Sequence, residues 1–165
     1  CQLADAAQFR LAAKLGMCVN LFANHHYYWG DEHYNLTVGP DRATRMNACR
    51  TALDSGVPMA IHSDAPVTPL GPLFTAWAAV NRITASGRGQ GEEERIGESE
   101  ALYAITMGAA FTLHLDGEIG SIETGKKADF AVLEADPTAC DPMELKDIPV
   151  WGTVQGGRIF PAAEL

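Results

Sequence analysis

The sequence predicts an α/β fold, and three observations carry that reading. Short apolar runs of strand length alternate with helical patterns as far as about residue 115. The order is helix–strand, helix–strand, helix–helix, as in the tail of a right-handed parallel wrap. From Gly117 onward the pattern changes to short strands separated by turns.

Each element has a local cause. Residues 4–15 set Phe9, Leu11, Ala12 and Leu15 at helical spacing, and Gly16 closes the helix. Residues 17–23 form a near-continuous apolar run, the pattern of a strand covered on both faces. Residues 24–39 read as a long polar and aromatic loop. Pro40 opens a helix to about Leu53, with Ala43, Met46, Ala48 and Leu53 inward and Arg42, Arg45 and Arg50 outward. Residues 57–61 are a second buried strand, started by the Ser55-Gly56 turn and stopped by Pro66 and Pro69. Helices over about 72–83 and 99–113 flank a Gly-rich charged loop at 88–97. A turn at Thr124-Gly125-Lys126-Lys127 then precedes a strand at 128–134, which Asp136-Pro137 ends. Gly156-Gly157 joins 150–155 to 158–160 as a hairpin.

Composition narrows the function. The 165 residues are 47% hydrophobic and 20% charged, ordinary for a soluble globular domain. A net charge of −9 argues against nucleic acid, whose phosphates need clustered Lys and Arg. No apolar run approaches the ~20 residues of a membrane span, and the N-terminus lacks the basic and apolar regions of a signal peptide. Cys1, Cys18, Cys49 and Cys140 are far apart and make no C-x-x-C pair. They read as reduced thiols of a cytoplasmic protein, with Cys18 and Cys49 buried.

Two stretches carry candidate chemistry. In Ile61-His62-Ser63-Asp64-Ala65-Pro66 a carboxylate stands where a strand gives way to a loop. Parallel α/β architectures place reactive groups there, and an Asp can ligate a divalent metal, take a proton from bound water, or do both. The alternative is an Asp that only caps the next turn. His62, two residues earlier on a strand, shares its face. The second stretch is Asn24-His25-His26-Tyr27-Tyr28-Trp29-Gly30-Asp31-Glu32-His33. Following a buried strand, it gathers at the same end, where three imidazoles (His25, His26, His33) and three large rings (Tyr27, Tyr28, Trp29) can line a pocket that stacks or hydrogen-bonds a ligand. Its alternative is aromatic packing of a long loop with surface histidines. His114 follows a helix and caps its C-terminus.

Two parallel strands cannot close a barrel, and the chain starts mid-stride with a helix beginning at once, so it reads as the C-terminal part of a longer protein. Taken together its motifs resemble the amidohydrolase superfamily, in the branch that includes N-substituted formamide deformylase-like hydrolases. The carriers are Asn24-His25 leading into Tyr27-Tyr28-Trp29-Gly30-Asp31, then His62-Ser63-Asp64-Ala65-Pro66-Val67-Thr68-Pro69, then Ala79-Val80-Asn81-Arg82. Ala104-Ile105-Thr106 with Gly108-Ala109-Ala110 follows, and last Gly120-Ser121-Ile122-Glu123 with Gly125-Lys126-Lys127-Ala128-Asp129-Phe130. Five such motifs in this order cover nearly the whole chain.

The resemblance implies that residues 1–115 are the C-terminal part of a distorted (β/α)8 barrel and 116–165 the closing strands of a composite β-sandwich. It implies a small amide-type substrate whose C–N bond is hydrolysed by a water activated on one or two divalent ions, often zinc. Asp64 matches the Asp that ends the last barrel strand, a metal ligand and proton relay. His25 matches a His after the preceding strand, a substrate contact, while His26 is a lining residue. The family's first-strand His-x-His pair, its mid-barrel ligand and the histidines of the fifth and sixth strands have no match here. The chain alone is therefore expected to bind no catalytic metal tightly, and to pair with itself or with the missing N-terminal part. A catalytically silent α/β module with a structural role, or a small-ligand binding module, is the alternative to an enzyme.

Overall fold

The computed structural model describes residues 1–162. Helix α1 (Ala6–Lys14) begins with a capping box, in which the Asp5 carboxylate accepts from Gln8 N–H and the Gln8 side chain accepts from Asp5 N–H. Phe9 is its buried anchor. Leu11 and Leu15 face outward, 55% and 65% exposed, and with Leu3 and Met17 they line an open apolar groove.

Strands β1 (Val19–Leu21) and β2 (Met59–Ile61) pair in parallel, Val19 opposite Met59 and Leu21 opposite Ile61. His62 N–H donates to Leu21 O at 3.0 Å and carries the ladder one residue beyond β2. All three residues of β2 are buried, but in β1 Asn20 is exposed between buried Val19 and Leu21. The first strand is thus covered on one face, not on both as its apolar run suggests. Cys18 is exposed as well, and Cys49 is the buried thiol.

The polar and aromatic segment after β1 is mostly helical, contrary to the loop expected there. It forms α2 (His25–Glu32), followed by a wider π turn at His33–Thr37. Tertiary contacts explain the change. Tyr27 sets its ring edge-on to Phe74 and Trp77, with centroids 5.1 and 5.9 Å away. Gly30 lies so close to the core that a Cβ there would stand 2.7 Å from Thr84 Cγ2. Packing of one face outweighs the modest helix propensity of His and aromatic residues.

The single helix expected over 40–53 is two, α3 (Pro40–Thr44) and α4 (Cys49–Asp54). Arg82 breaks it. Fully buried, its guanidinium donates to the carbonyls of Thr44, Met46 and Asn47, and its Nε to Gln90 O. The guanidinium pairs the carbonyls of Thr44, the last residue of α3, and of Met46 and Asn47 between the two helices, and Asn47 there turns to φ 50°. Glu94, in a short 3₁₀ turn at Glu92–Glu94, caps the new N-terminus by accepting from Thr51 N–H at 2.9 Å.

Helix α5 (Pro72–Asn81) has every residue from Thr75 to Asn81 buried. One side is closed by the 3₁₀ segment Pro142–Asp147, where Trp77 Nε1 donates to Met143 O and Asn81 Nδ2 to Pro142 O. Leu145 and Ile148 complete the same core. The helix expected over 99–113 also divides, at Thr106, into α6 (Glu98–Ile105) and α7 (Met107–Thr112). Gly108 lets α7 lie directly on β2, because a Cβ there would meet Met59 O. Strands β3 (Phe130–Leu133), β4 (Val150–Gln155) and β5 (Arg158–Pro161) form an antiparallel sheet in that order. Gly156 and Gly157, at φ 55° and 79°, make the β4–β5 turn. No helix among the described residues is long and apolar enough to cross a membrane.

Candidate active site at the strand ends

The ends of β1 and β2 deliver two short segments to one surface. From β1 come Phe22, Asn24 and, on the first turn of α2, His25. From β2 come His62, Ser63 and Asp64. Asp64 adopts φ 56°, a left-handed conformation that Asp tolerates better than most residues. Its carbonyl accepts from Val67 N–H at 2.8 Å, closing a tight turn over Ala65 and Pro66. The side chain is exposed and, among the described residues, has neither a hydrogen-bond nor an ion-pair partner. The carboxylate is therefore not capping this turn with its side chain.

Phe22 is the hub of the aromatic lining. It stacks on His62 at 5.1 Å between centroids, leans on His25 at 4.7 Å and meets Trp29 at 6.2 Å with the ring planes inclined by 62°. Trp29 stands edge-on to His25 at 4.8 Å. His25 is committed at both nitrogens. Its Nδ1 lies 2.7 Å from Gln2 Nε2 and its Nε2 lies 3.3 Å from His33 Nε2, while His33 Nδ1 reaches Thr37 Oγ1 at 2.6 Å. With the Gln2 amide donating, the proton of neutral His25 sits on Nε2 and points to His33, whose own proton then points to Thr37.

Charge follows from this packing. Burial, with the His33 imidazole second, lowers the His25 pKa to about 4, against a smaller opposite pull from the Asp64 carboxylate. His62 is lowered too, by burial first, with Asp64 again opposing. Both rings are neutral at pH 7, and Asp64 is the negative group they share.

His26 is elsewhere. It is 1% exposed and packs into the core, where burial first and the Arg82 guanidinium second push its pKa well below the ordinary histidine value. Among the described residues neither of its ring nitrogens has a hydrogen-bond partner. The structure thus places His26 in the core and His25 at the strand ends, because neighbours on a helix point about 100° apart. Phe22 and Gln2 were hidden in sequence, Phe22 inside an apolar run and Gln2 in a segment without a motif. His33 was visible as one of three imidazoles in the stretch, and its i, i+8 spacing from His25 becomes meaningful only on a helix.

A divalent ion can be tested against this donor set. Among the described residues no group of three or more His, Cys, Asp or Glu side chains is placed to hold one. Asp64 has the chemistry of a ligand, whereas His25 has both nitrogens engaged. The residues fit one corner of a metal centre and do not make a closed one.

The family model described as "Amidohydrolase family" matches residues 1–161. The N-substituted formamide deformylase of Arthrobacter pascens is 33% identical over 158 residues, 94% of this chain and 29% of that protein. The chain thus spans less than a third of the length of that curated relative. Among solved structures, guanine deaminase of E. coli superimposes with a TM-score of 0.68 at 20% identity, covering 99% of this chain and 38% of that one. An amidohydrolase from Thermotoga maritima MSB8 gives 0.64 at 21% identity, covering 95% and 35%. At such identities the structural likeness speaks for the fold alone.

Proposed function

The chain belongs to the amidohydrolase family, and on that premise we propose that it is part of a metal-dependent hydrolase of amide-type C–N bonds in small molecules. Residues 1–115 are then the last strands and helices of a (β/α)8 barrel, and 116–165 the closing strands of a β-sandwich. The open sides of the β1–β2 pair and the apolar groove beside α1 are where further barrel strands and helices of the same protein, or of a second copy, would pack.

The observation that carries the reading is the uncommitted carboxylate of Asp64 at the exit of β2, flanked by two neutral imidazoles. When bound, a divalent ion such as zinc supplies the Lewis acidity that makes a water nucleophilic near neutral pH. Asp64 is the residue of this chain that would hold that ion, and its carboxylate is free to take up and relay a proton. Trp29, His62 and His25 line the approach as substrate contacts, His25 through its ring because both nitrogens are occupied. The remaining metal ligands are not among these residues. The protein acts in the cytoplasm in this reading.

The second reading is a catalytically silent α/β module with a structural role. One experiment separates the two. The complete protein is screened against a panel of small amides, with metal content measured, beside its Asp64→Asn variant. The proposal expects turnover with bound divalent metal and a loss of about a hundredfold or more in the variant, the size of a general acid–base contribution. Full activity in a folded Asp64→Asn protein refutes the role of Asp64, and no turnover with no metal supports the silent module.

A further inference from the structure

We propose that Thr68 is a positioning residue for Asp64, tying the turn that carries this carboxylate to the segment that starts α2. The inference rests on the reading of Asp64 above. Thr68 is 2% exposed in a loop whose neighbours Val67 and Pro69 are exposed. Its hydroxyl accepts from Asn24 Nδ2 at 3.0 Å and donates to the carbonyl of Ser63. Asn24 is itself fully buried and immediately precedes His25. Ser63 immediately precedes Asp64.

The direction of this bridge is fixed by chemistry. A carbonyl only accepts, so the Thr68 proton must point to Ser63, and the amide of Asn24 must present its NH₂ to the hydroxyl oxygen. One hydroxyl thus joins both strand-end segments. It also anchors the peptide before a residue held at φ 56°, a conformation that needs support from its surroundings. On the other side of Asp64 the Val67 N–H bond to its carbonyl closes the turn. Asp64 is then held at both flanking peptides while its side chain stays free. A valine at 68 keeps the volume, removes both bonds, and leaves the Ser63 carbonyl and the Asn24 amide buried without a partner.

The test compares Thr68→Val with Thr68→Ser. Hydrogen exchange of the complete protein reads the turn without needing a substrate: amides of residues 62–68 should exchange about tenfold faster in Thr68→Val, with α1 and α5 unchanged, and Thr68→Ser should restore protection. In the complete protein, on an amide it turns over, Thr68→Val should lower kcat about tenfold or more with KM nearly unchanged, and Thr68→Ser should recover most of it. Should Thr68→Val fail to fold, Thr68→Cys, whose thiol fits the space and donates weakly, decides between the same outcomes. Unchanged exchange in 62–68, wild-type kcat in Thr68→Val, or a Thr68→Ser variant as impaired as Thr68→Val each overturns the inference. Asp64→Asn in the same assay separates the two claims. Its inactivity beside a fully active Thr68→Val sinks only the positioning role, whereas its full activity sinks the reading on which that role rests.

Discussion

Replacing Arg82 by methionine should cost this protein a large share of its stability. The guanidinium is fully buried and serves four backbone carbonyls at 2.9–3.1 Å: Gln90, Asn47, Met46 and Thr44. Methionine fills much of the space but leaves those carbonyls dry and unpaired, at about 1–3 kcal/mol each before relaxation. Relief from burying a charge offsets part of that, and burial does hold the Arg82 pKa below its usual value. A net loss of about 3–5 kcal/mol remains, against about 5–15 kcal/mol for a typical domain. With a urea slope near 2 kcal/mol per molar, the unfolding midpoint should fall by about 2 M. Arg82→Lys should recover little, since an ammonium cannot present the same fork. The damage should reach the strand ends, because Asn47 N–H donates to Gln2 O and the Gln2 side chain meets His25. Urea unfolding followed by far-UV circular dichroism and tryptophan emission measures it. A midpoint lowered by less than about 0.5 M would refute the reasoning, and would mean that water or neighbouring groups replace the guanidinium.

Other outcomes follow from the same coordinates. The His25 ring should titrate at about 4 in the folded protein, well under its ordinary 6.5, as read by NMR of its ring protons. The unfolded chain takes that proton first, so His25 favours unfolding as pH falls from 6.5 toward 4, and its stabilising contribution is complete only above 6.5. A His25 resonance titrating near 6.5 contradicts the burial and His33 arguments together. Gly108→Ala should destabilise by about 1–3 kcal/mol, because the new methyl meets Met59 O and pushes α7 off β2; a thermal midpoint equal to the parent's would show that α7 can move at no cost.

Much of the framework was legible before the coordinates. Pro and Gly punctuation located β2, α5 and the β4–β5 turn, because ring closure and positive φ are local properties. The family motifs were equally plain. What escaped was decided by distant partners. Nothing near residue 47 announces that Arg82, thirty-five positions on, will take its carbonyl and split a helix. Likewise His25, Tyr27 and Gly30 read as loop until Phe74, Trp77 and Thr84 are there to pack against. At the site the pattern was the same. Asp64 and His62 stood out by their place after an apolar run. The roles of Gln2, His33 and Phe22 depend on side chains meeting across the two strand ends, and the burial of His26 depends on which way a helix turns.

The seal between α5 and residues 142–148 bears on how the polypeptide is made. Synthesis runs from the N-terminus, so Trp77 and Asn81 emerge from the ribosome more than sixty residues before the carbonyls of Pro142 and Met143 that they bind. Throughout that interval the indole and the amide stay wet, and the side of the helix meant for Leu145 and Ile148 is open to any sticky surface nearby. The stretch that shuts this core is translated well after the helix it covers, and a nascent chain halted before residue 142 is the form a chaperone would be called upon to hold.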